Sequence, residues 1–170
     1  MLIVFGGLPG TGKTTIAREV ARRLGAVHIR IDSIEQALRD SGVAKSIDDA
    51  GYRTGYAVAE DNLRIGRTVV ADSVNPIPLT RDAWREAANR TGVGAVEVEI
   101  VCSAEREHRR RLEDRVSDIP GVTGPTWQEV IDRDYRAWER DHIVLDTAGQ
   151  TIEQSVNALV ALLPRPHPTD

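Results

Sequence analysis

Gly7-Leu8-Pro9-Gly10-Thr11-Gly12-Lys13-Thr14 sets two glycines, Gly7 and Gly12, with four residues between them and follows the second at once with a lysine and a hydroxyl residue. Glycines at this spacing let successive backbone N–H groups turn inward around phosphate oxygens, and a helix starting there adds its positive end. Lys13 then supplies a charge between β- and γ-phosphates, and Thr14 offers a hydroxyl to Mg²⁺. The expected nucleotide contacts run from Gly7 through Leu8, Pro9, Gly10, Thr11, Gly12, Lys13 and Thr14 to Thr15.

The pattern alone recurs by chance, so its flanks matter. Leu2 to Phe5 is a short apolar strand, and Ile16, Val20 and Leu24 recur at helical spacing before Gly25 closes the helix. A second requirement is an acid at the end of another strand. Thr68-Val69-Val70-Ala71-Asp72 supplies it, and Ser73, Val74 and Asn75 continue at the carboxyl edge, where open α/β sheets bind ligands. Asp72 reads as a metal or acceptor group, or as the cap of the next turn.

A phosphoryl acceptor needs a proton taken from it, and Asp32 stands where a strand over Val27 to Ile31 ends. Directly before Ser33-Ile34-Glu35, it is also a good helix N-cap, and local sequence leaves both readings open. Arg111 and Arg115, four apart on an arginine-rich helix, share a face and can close over the γ-phosphate. Arg106, Arg109 and Arg110 lie on other faces, and a solvated basic helix is the plain alternative. Asp146-Thr147-Ala148-Gly149 imitates a GTPase switch but follows the last strand, and no Asn-Lys-x-Asp reads guanine. It is expected to pass near adenine through Thr147 and Gly149, with Thr151 and Gln154 forming a capping box.

Positioning these groups takes strands alternating with helices. Leu2 to Phe5, Val27 to Ile31, Thr68 to Ala71, Ala95 to Val101 and His142 to Leu145 predict an α/β fold, a parallel sheet covered on both faces. The helix after Thr80 packs Trp84 and Ala88. A helix within Ile47 to Gly66 should cross the acceptor side, where Arg53, Tyr56 and Asp61 read as acceptor contacts or as surface and core-edge residues. Residues 116–126, rich in glycine and proline, read as a mobile lid or an ordinary surface loop.

With 170 residues the chain fits one domain. This is assigned to residues 1–163, with a lid near 111–127, and the proline-rich 164–170 is a frayed end. No apolar run approaches the ~20 residues that span a bilayer. The lone Cys102 permits no internal disulfide, and the start carries no basic leader, so a cytoplasmic location is expected. A net charge of −4 disfavours a nucleic-acid partner. No feature specifies an oligomer.

Taken together, these residues resemble a group of small P-loop kinases that includes chloramphenicol phosphotransferase, zeta toxins and the 5′-kinase domain of phage polynucleotide kinase. The phage kinase is most similar at Asp72-Ser73-Val74-Asn75-Pro76, at Arg81-Asp82-Ala83-Trp84 and at Arg111-Leu112-Glu113-Asp114-Arg115. The Asp32-Ser33-Ile34 start of the second helix resembles the chloramphenicol enzyme more. The resemblance implies a P-loop NTPase α/β/α sandwich with strand order 2-3-1-4-5, a small helical lid, and ATP and Mg²⁺ as cofactors. It makes Asp32 the general base, Arg115 and Arg111 lid arginines with Lys13 at the phosphates, Asp72 and Thr14 the metal side, and a small-molecule hydroxyl the acceptor. Asn75, Arg53 and Tyr56 fall on the acceptor side. The polynucleotide kinase pattern has an arginine three residues after its catalytic Asp, where this chain has Glu35. A carboxylate there repels a nucleic-acid phosphate and favours an uncharged or cationic acceptor, over a polynucleotide 5′-end. A nucleotide-binding regulatory module without acceptor is the remaining rival.

Overall fold

The computed structural model describes residues 1–42 and 46–164 of the chain; of the expected frayed end, everything after Pro164 lies outside the described residues. Leu2, Ile3, Val4 and Phe5 are all 0% exposed, which a strand achieves only when both faces of its sheet are covered. This is β1 (Leu2–Gly6), the middle strand. With β2 (Val27–Arg30), β3 (Val69–Asp72), β4 (Ala95–Val101) and β5 (Ile143–Asp146) it forms one five-stranded sheet in the order β2-β3-β1-β4-β5. Every pairing is parallel, with Phe5 beside Asp72 and Arg30 beside Asp72 in register. Fold class and strand order are therefore those expected.

The period-2 alternation of the strands sorts the core into two layers. Ile3, Phe5, Val70, Val98 and Ile100 pack on α1 (Lys13–Leu24) and α7 (Ile152–Leu162). Leu2, Val4, Ile29, Val69 and Ala71 pack on α3 (Ala50–Arg64) and α4 (Pro78–Arg90), where Tyr56 meets Trp84 edge-on at 4.6 Å. Helix α1 buries Ile16, Ala17, Val20 and Ala21 and ends on Gly25 in the left-handed conformation. The Thr151–Gln154 capping box opens α7, and Thr126–Glu129 builds another at α6 (Trp127–Ile131).

Three boundaries differ from expectation, each for a local reason. Strand β2 passes without a loop into α2 (Ile31–Asp40), so Ile31 is helical, Arg30 is the N-cap, and Asp32 lies in the first helical turn. Helix α4 starts at Pro78 and not after Thr80, because proline is preorganised for a first turn. Helix α5 (Glu105–Glu113) ends with Asp114 as its C-cap, so Arg115 is not on the helix with Arg111. Beyond it, Val116 and Ser117 are weak helix formers, and the Ser117 hydroxyl bonds the backbone of Ile119 at 3.1 and 3.2 Å, favouring a turn. The expected helical lid is thus a loop, residues 114–126, strung between α5 and α6.

Residues 133–142 run from α6 to β5 without regular structure and are pinned by Arg81, 2% exposed on α4. Its guanidinium donates to the carbonyls of Asn75, Pro76, Arg136 and Ala137 and lies 4.3 Å from the Trp138 ring centroid. A buried charge is tolerated there because its N–H groups are used. Among the described residues, no helix is long and apolar enough to cross a membrane.

Candidate active site

The glycine loop joins β1 to α1, and its backbone takes φ values of 139° at Gly7, 88° at Gly10 and 90° at Gly12. A side chain at Gly7 is excluded sterically, since a Cβ would lie 2.3 Å from the Ile100 carbonyl oxygen. Gly12 is the left-handed N-cap of α1, so the first-turn N–H groups face out of the loop with nothing capping them from a side chain. The loop is braced from α5: the His108 Nε2–H donates to the Pro9 carbonyl at 2.8 Å, and Trp127 of α6 packs edge-on against that imidazole. His108 and Trp127 are supports that sequence reasoning missed, since one histidine on a charged helix has no distinguishing spacing.

Lys13, 7% exposed, donates to Asp72 Oδ1 at 3.1 Å, and Asp72 is 1% exposed. His28, on β2 and also unanticipated, puts Nε2 3.4 Å from Asp72 Oδ2. Burial alone would raise the Asp72 carboxyl, but Lys13 and His28 together outweigh it and hold the group well below the usual carboxylate range. Asp72 Oδ2 is buried and forms no hydrogen bond among the described residues. It is a hard oxygen donor of the kind that suits Mg²⁺, as is the Thr14 hydroxyl, although of the two Thr14 alone lines the cavity in front of the loop. No group of three or more His, Cys, Asp or Glu among the described residues could hold an ion alone, so Mg²⁺ would take its other ligands from phosphates and water.

In front of the loop opens a cavity of about 1180 Å³ whose wall includes Leu8, Pro9, Gly10, Gly12, Lys13, Thr14 and Thr15. Asp32, Glu35, Gln36 and Arg39 of α2 form another part of the wall, as do Arg111, Arg115 and residues of the loop 114–126. The structure therefore brings Asp32, Lys13, Thr14, Arg111 and Arg115 around one space. Arg111 is already tied, donating to the Thr147 hydroxyl at 2.9 Å and to Glu107 at 2.6 Å. Arg115 is exposed in the loop. Thr147 reaches the wall, but its hydroxyl sits 2.8 Å from the Thr11 carbonyl and 3.0 Å from that of Val101, so it anchors the loop end.

Other expected residues lie elsewhere. Gly149 is outside the wall with its N–H on Glu107, and Gln150 and Ile152 take that side instead. Arg53 is 75% exposed beside Asp49, and Tyr56 is packed on Trp84 with its hydroxyl toward the Thr80 carbonyl. Neither lines the cavity, because α3 turns its small residues Gly51, Gly55 and Ala59 inward and leaves the longer ones at the rim. Asn75 is fully buried, donates to the Phe5 carbonyl at 2.7 Å and has φ of 49°, so it shapes the turn after β3. Asp61 is paired with Arg64 on the outer face of α3.

Charge in the acceptor half is balanced by ion pairs. Glu35 leans on Gly51 and accepts from Arg39 at 3.3 Å. Burial raises its carboxyl above the ordinary value, Arg39 opposes this, and Asp32 adds to it. Asp118, in the loop 114–126, accepts from Arg18 at 2.6 Å and from Arg30 at 2.8 Å, and these bonds hold its carboxyl down at about 2.

Comparison with known proteins bears on family and fold. The AAA domain family matches residues 2–133. The probable adenylyl-sulfate kinase of Aeropyrum pernix is 27% identical over 181 residues, spanning 96% of this chain and 92% of that protein. Among solved structures, the Mycobacterium tuberculosis APS kinase CysC in complex with AMPPNP and APS superposes with a TM-score of 0.69 at 19% identity, covering 95% of each chain. A sugar kinase from Janibacter sp. also gives 0.69, at 22% identity over 94% of this chain and 92% of its own. At such identities the two structures speak for the fold alone.

Proposed function

The chain belongs to the AAA domain family, and from that premise we propose that it transfers the γ-phosphoryl group of Mg-ATP to a hydroxyl of a small metabolite. It is an ATP-dependent kinase. The observation that carries the acceptor chemistry is the placement of Asp32, which lines the same cavity as Lys13 and Thr14 from the first turn of α2. In the proposed reaction the loop N–H groups and Lys13 hold the β- and γ-phosphates, with Thr14 and Asp72 holding the metal. Mg²⁺, when bound, offsets charge on the β- and γ-oxygens. Asp32 accepts the hydroxyl proton as that oxygen attacks phosphorus, the bond to the β-phosphate oxygen breaks, and ADP leaves. Arg115 and Arg111 face the charge that spreads over the transferring group.

Probable adenylyl-sulfate kinases among the relatives support a metabolite over an antibiotic as acceptor. The test is Asp32→Asn with labelled ATP and pooled hydroxyl-bearing metabolites. Nucleotide affinity should stay within about twofold while transfer falls by roughly 10²–10⁴. Undiminished transfer would remove Asp32 from the role of base.

A further inference from the structure

Arg30 is the last residue of β2 and is 7% exposed, yet its charge is poorly used. Nη1 donates to Asp118, Nε stands 3.9 Å from Asp32 Oδ2, and neither Nε nor Nη2 forms a hydrogen bond among the described residues. A buried guanidinium with unused donors costs far more than an exposed one. Its one hydrogen-bond partner is a side chain 48% exposed, on a loop without regular structure, and that carboxylate's other oxygen is held by Arg18 of α1. Arg81 makes the contrast, since equal burial there comes with four carbonyl partners. Arg30 is therefore built for a better acceptor of hydrogen bonds than the one it has.

We propose that Arg30 and Arg18 form an oxyanion subsite for the acceptor, and that the Asp118 carboxylate occupies it in place of the acceptor's own anionic group. This deepens the kinase reading and rests on it: the acceptor carries a carboxylate, phosphate or sulfate beside the hydroxyl that Asp32 deprotonates. Asp118, Arg18 and Asp32 line the cavity and Arg30 lies outside its wall, in contact with Asp118 and near Asp32, so an anion replacing Asp118 lies on the acceptor side of the site. Phosphate and sulfate present more oxygens than Asp118 does and can engage the idle N–H groups as well as Nη1. Because Nε and Nη2 are sealed from solvent and Asp118 holds Nη1, that exchange requires Asp118 to move away from Arg30. The subsite reverses the expectation of an uncharged or cationic acceptor, which rested on Glu35. That carboxylate is half-buried and already faces Arg39, so its repulsion is largely spent.

Inorganic sulfate, titrated calorimetrically into protein saturated with Mg-AMPPNP, tests the subsite with the phosphate loop already filled. Asp118→Asn removes the internal competitor and should tighten sulfate by about tenfold or more. Arg30→Gln and, on the exposed side, Arg18→Gln should each weaken it by at least about tenfold, with AMPPNP affinity unchanged throughout. Sulfate binding that ignores all three substitutions, or is absent even in Asp118→Asn, overturns the subsite. Failure of AMPPNP to bind the wild-type protein would instead strike the kinase reading, which keeps the two failures apart. Arg18→Gln also covers the case in which Arg30→Gln does not fold.

Discussion

The two walls of the cavity are built on different physics. The donor wall is backbone: left-handed glycines, a loop wedged against Ile100, and a lysine–aspartate pair whose side chains are 8% and 1% exposed. The acceptor wall is side chains from α1, α2 and the loop 114–126, joined by pairs such as Arg18–Asp118 at 57% and 48% exposure. Sterics and buried charge fix the first in one arrangement, whereas exposed ion pairs contribute at most about 1 kcal/mol each. The donor wall is therefore a common fixture for any acceptor, and the acceptor wall is where specificity and motion belong.

The sharpest way to break this comparison is to remove charge from the donor wall. Lys13→Met leaves Asp72 buried without its partner and should cost about 3–5 kcal/mol in chemical denaturation, with nucleotide binding lost. Adding Asp72→Asn should restore most of that stability and none of the binding. The pH dependence has a definite sign. In the wild type the Asp72 pKa is depressed, so its contribution is complete above about pH 4 and is lost as pH falls through the folded value. Without Lys13, burial dominates and raises that pKa, so the stability gap between variant and wild type should narrow on acidification. A gap independent of pH would show that Asp72 is not the charge at stake.

Gly7→Ala probes the backbone half of the same wall. Its Cβ would sit 2.3 Å from the Ile100 carbonyl, at a φ of 139°. A main-chain oxygen cannot rotate away as a side chain can, so roughly 2–3 kcal/mol of destabilisation is expected, near the top of the range for overpacked cores. Wild-type stability and AMPPNP affinity in this variant would mean that the loop is more adaptable than the donor wall requires.

The same contrast explains what the sequence discloses. Lys13, Thr14, Asp72 and the five strands are legible because phosphate cradling and parallel pairing impose fixed spacings and apolar runs, whereas the strand order follows from the family resemblance. Asp32 is legible as a residue at a strand end, though not its place inside the first turn of α2, because Arg30 and Ile31 give no sign that the loop is missing. Arg30, Asp118 and His108 are brought to the site by tertiary packing across 88 residues in one case and 99 in another. No local period records such distances. Arg53 and Tyr56 fail for the complementary reason: three inward glycine and alanine positions would have to be weighed against them, and helical spacing alone does not say which face of α3 is buried.

His108 joins the two walls, since it stands on the helix leading to the loop 114–126 and props the glycine loop. His108→Ala removes one hydrogen bond to Pro9 and the edge-on contact with Trp127 at 5.1 Å, a loss of about 1–2 kcal/mol. Hydrogen exchange should quicken at the amides of Gly10 and Gly12 more than in β1. Equal protection in both proteins would detach the glycine loop from α5.

The smallest effect belongs to the acceptor wall and is the most diagnostic for being small. Asp118→Asn should change stability by less than about 1 kcal/mol, because its pair with Arg18 is exposed and the Asn amide oxygen can still accept the hydrogen bond of the buried Arg30. The Asp118 pKa is depressed to about 2, so the little stability it gives is full above about pH 4 and disappears as pH falls toward 2. Raising salt from 0.05 to about 0.5 M should weaken the same contribution at neutral pH, since the Debye length shrinks from about 14 to about 4 Å, toward the scale of such pairs. Thermal melts of wild type and variant at the two salt concentrations measure this directly. A difference above about 2 kcal/mol that survives high salt would place Asp118 with the buried pairs, and the acceptor wall would then be as rigid as the donor wall.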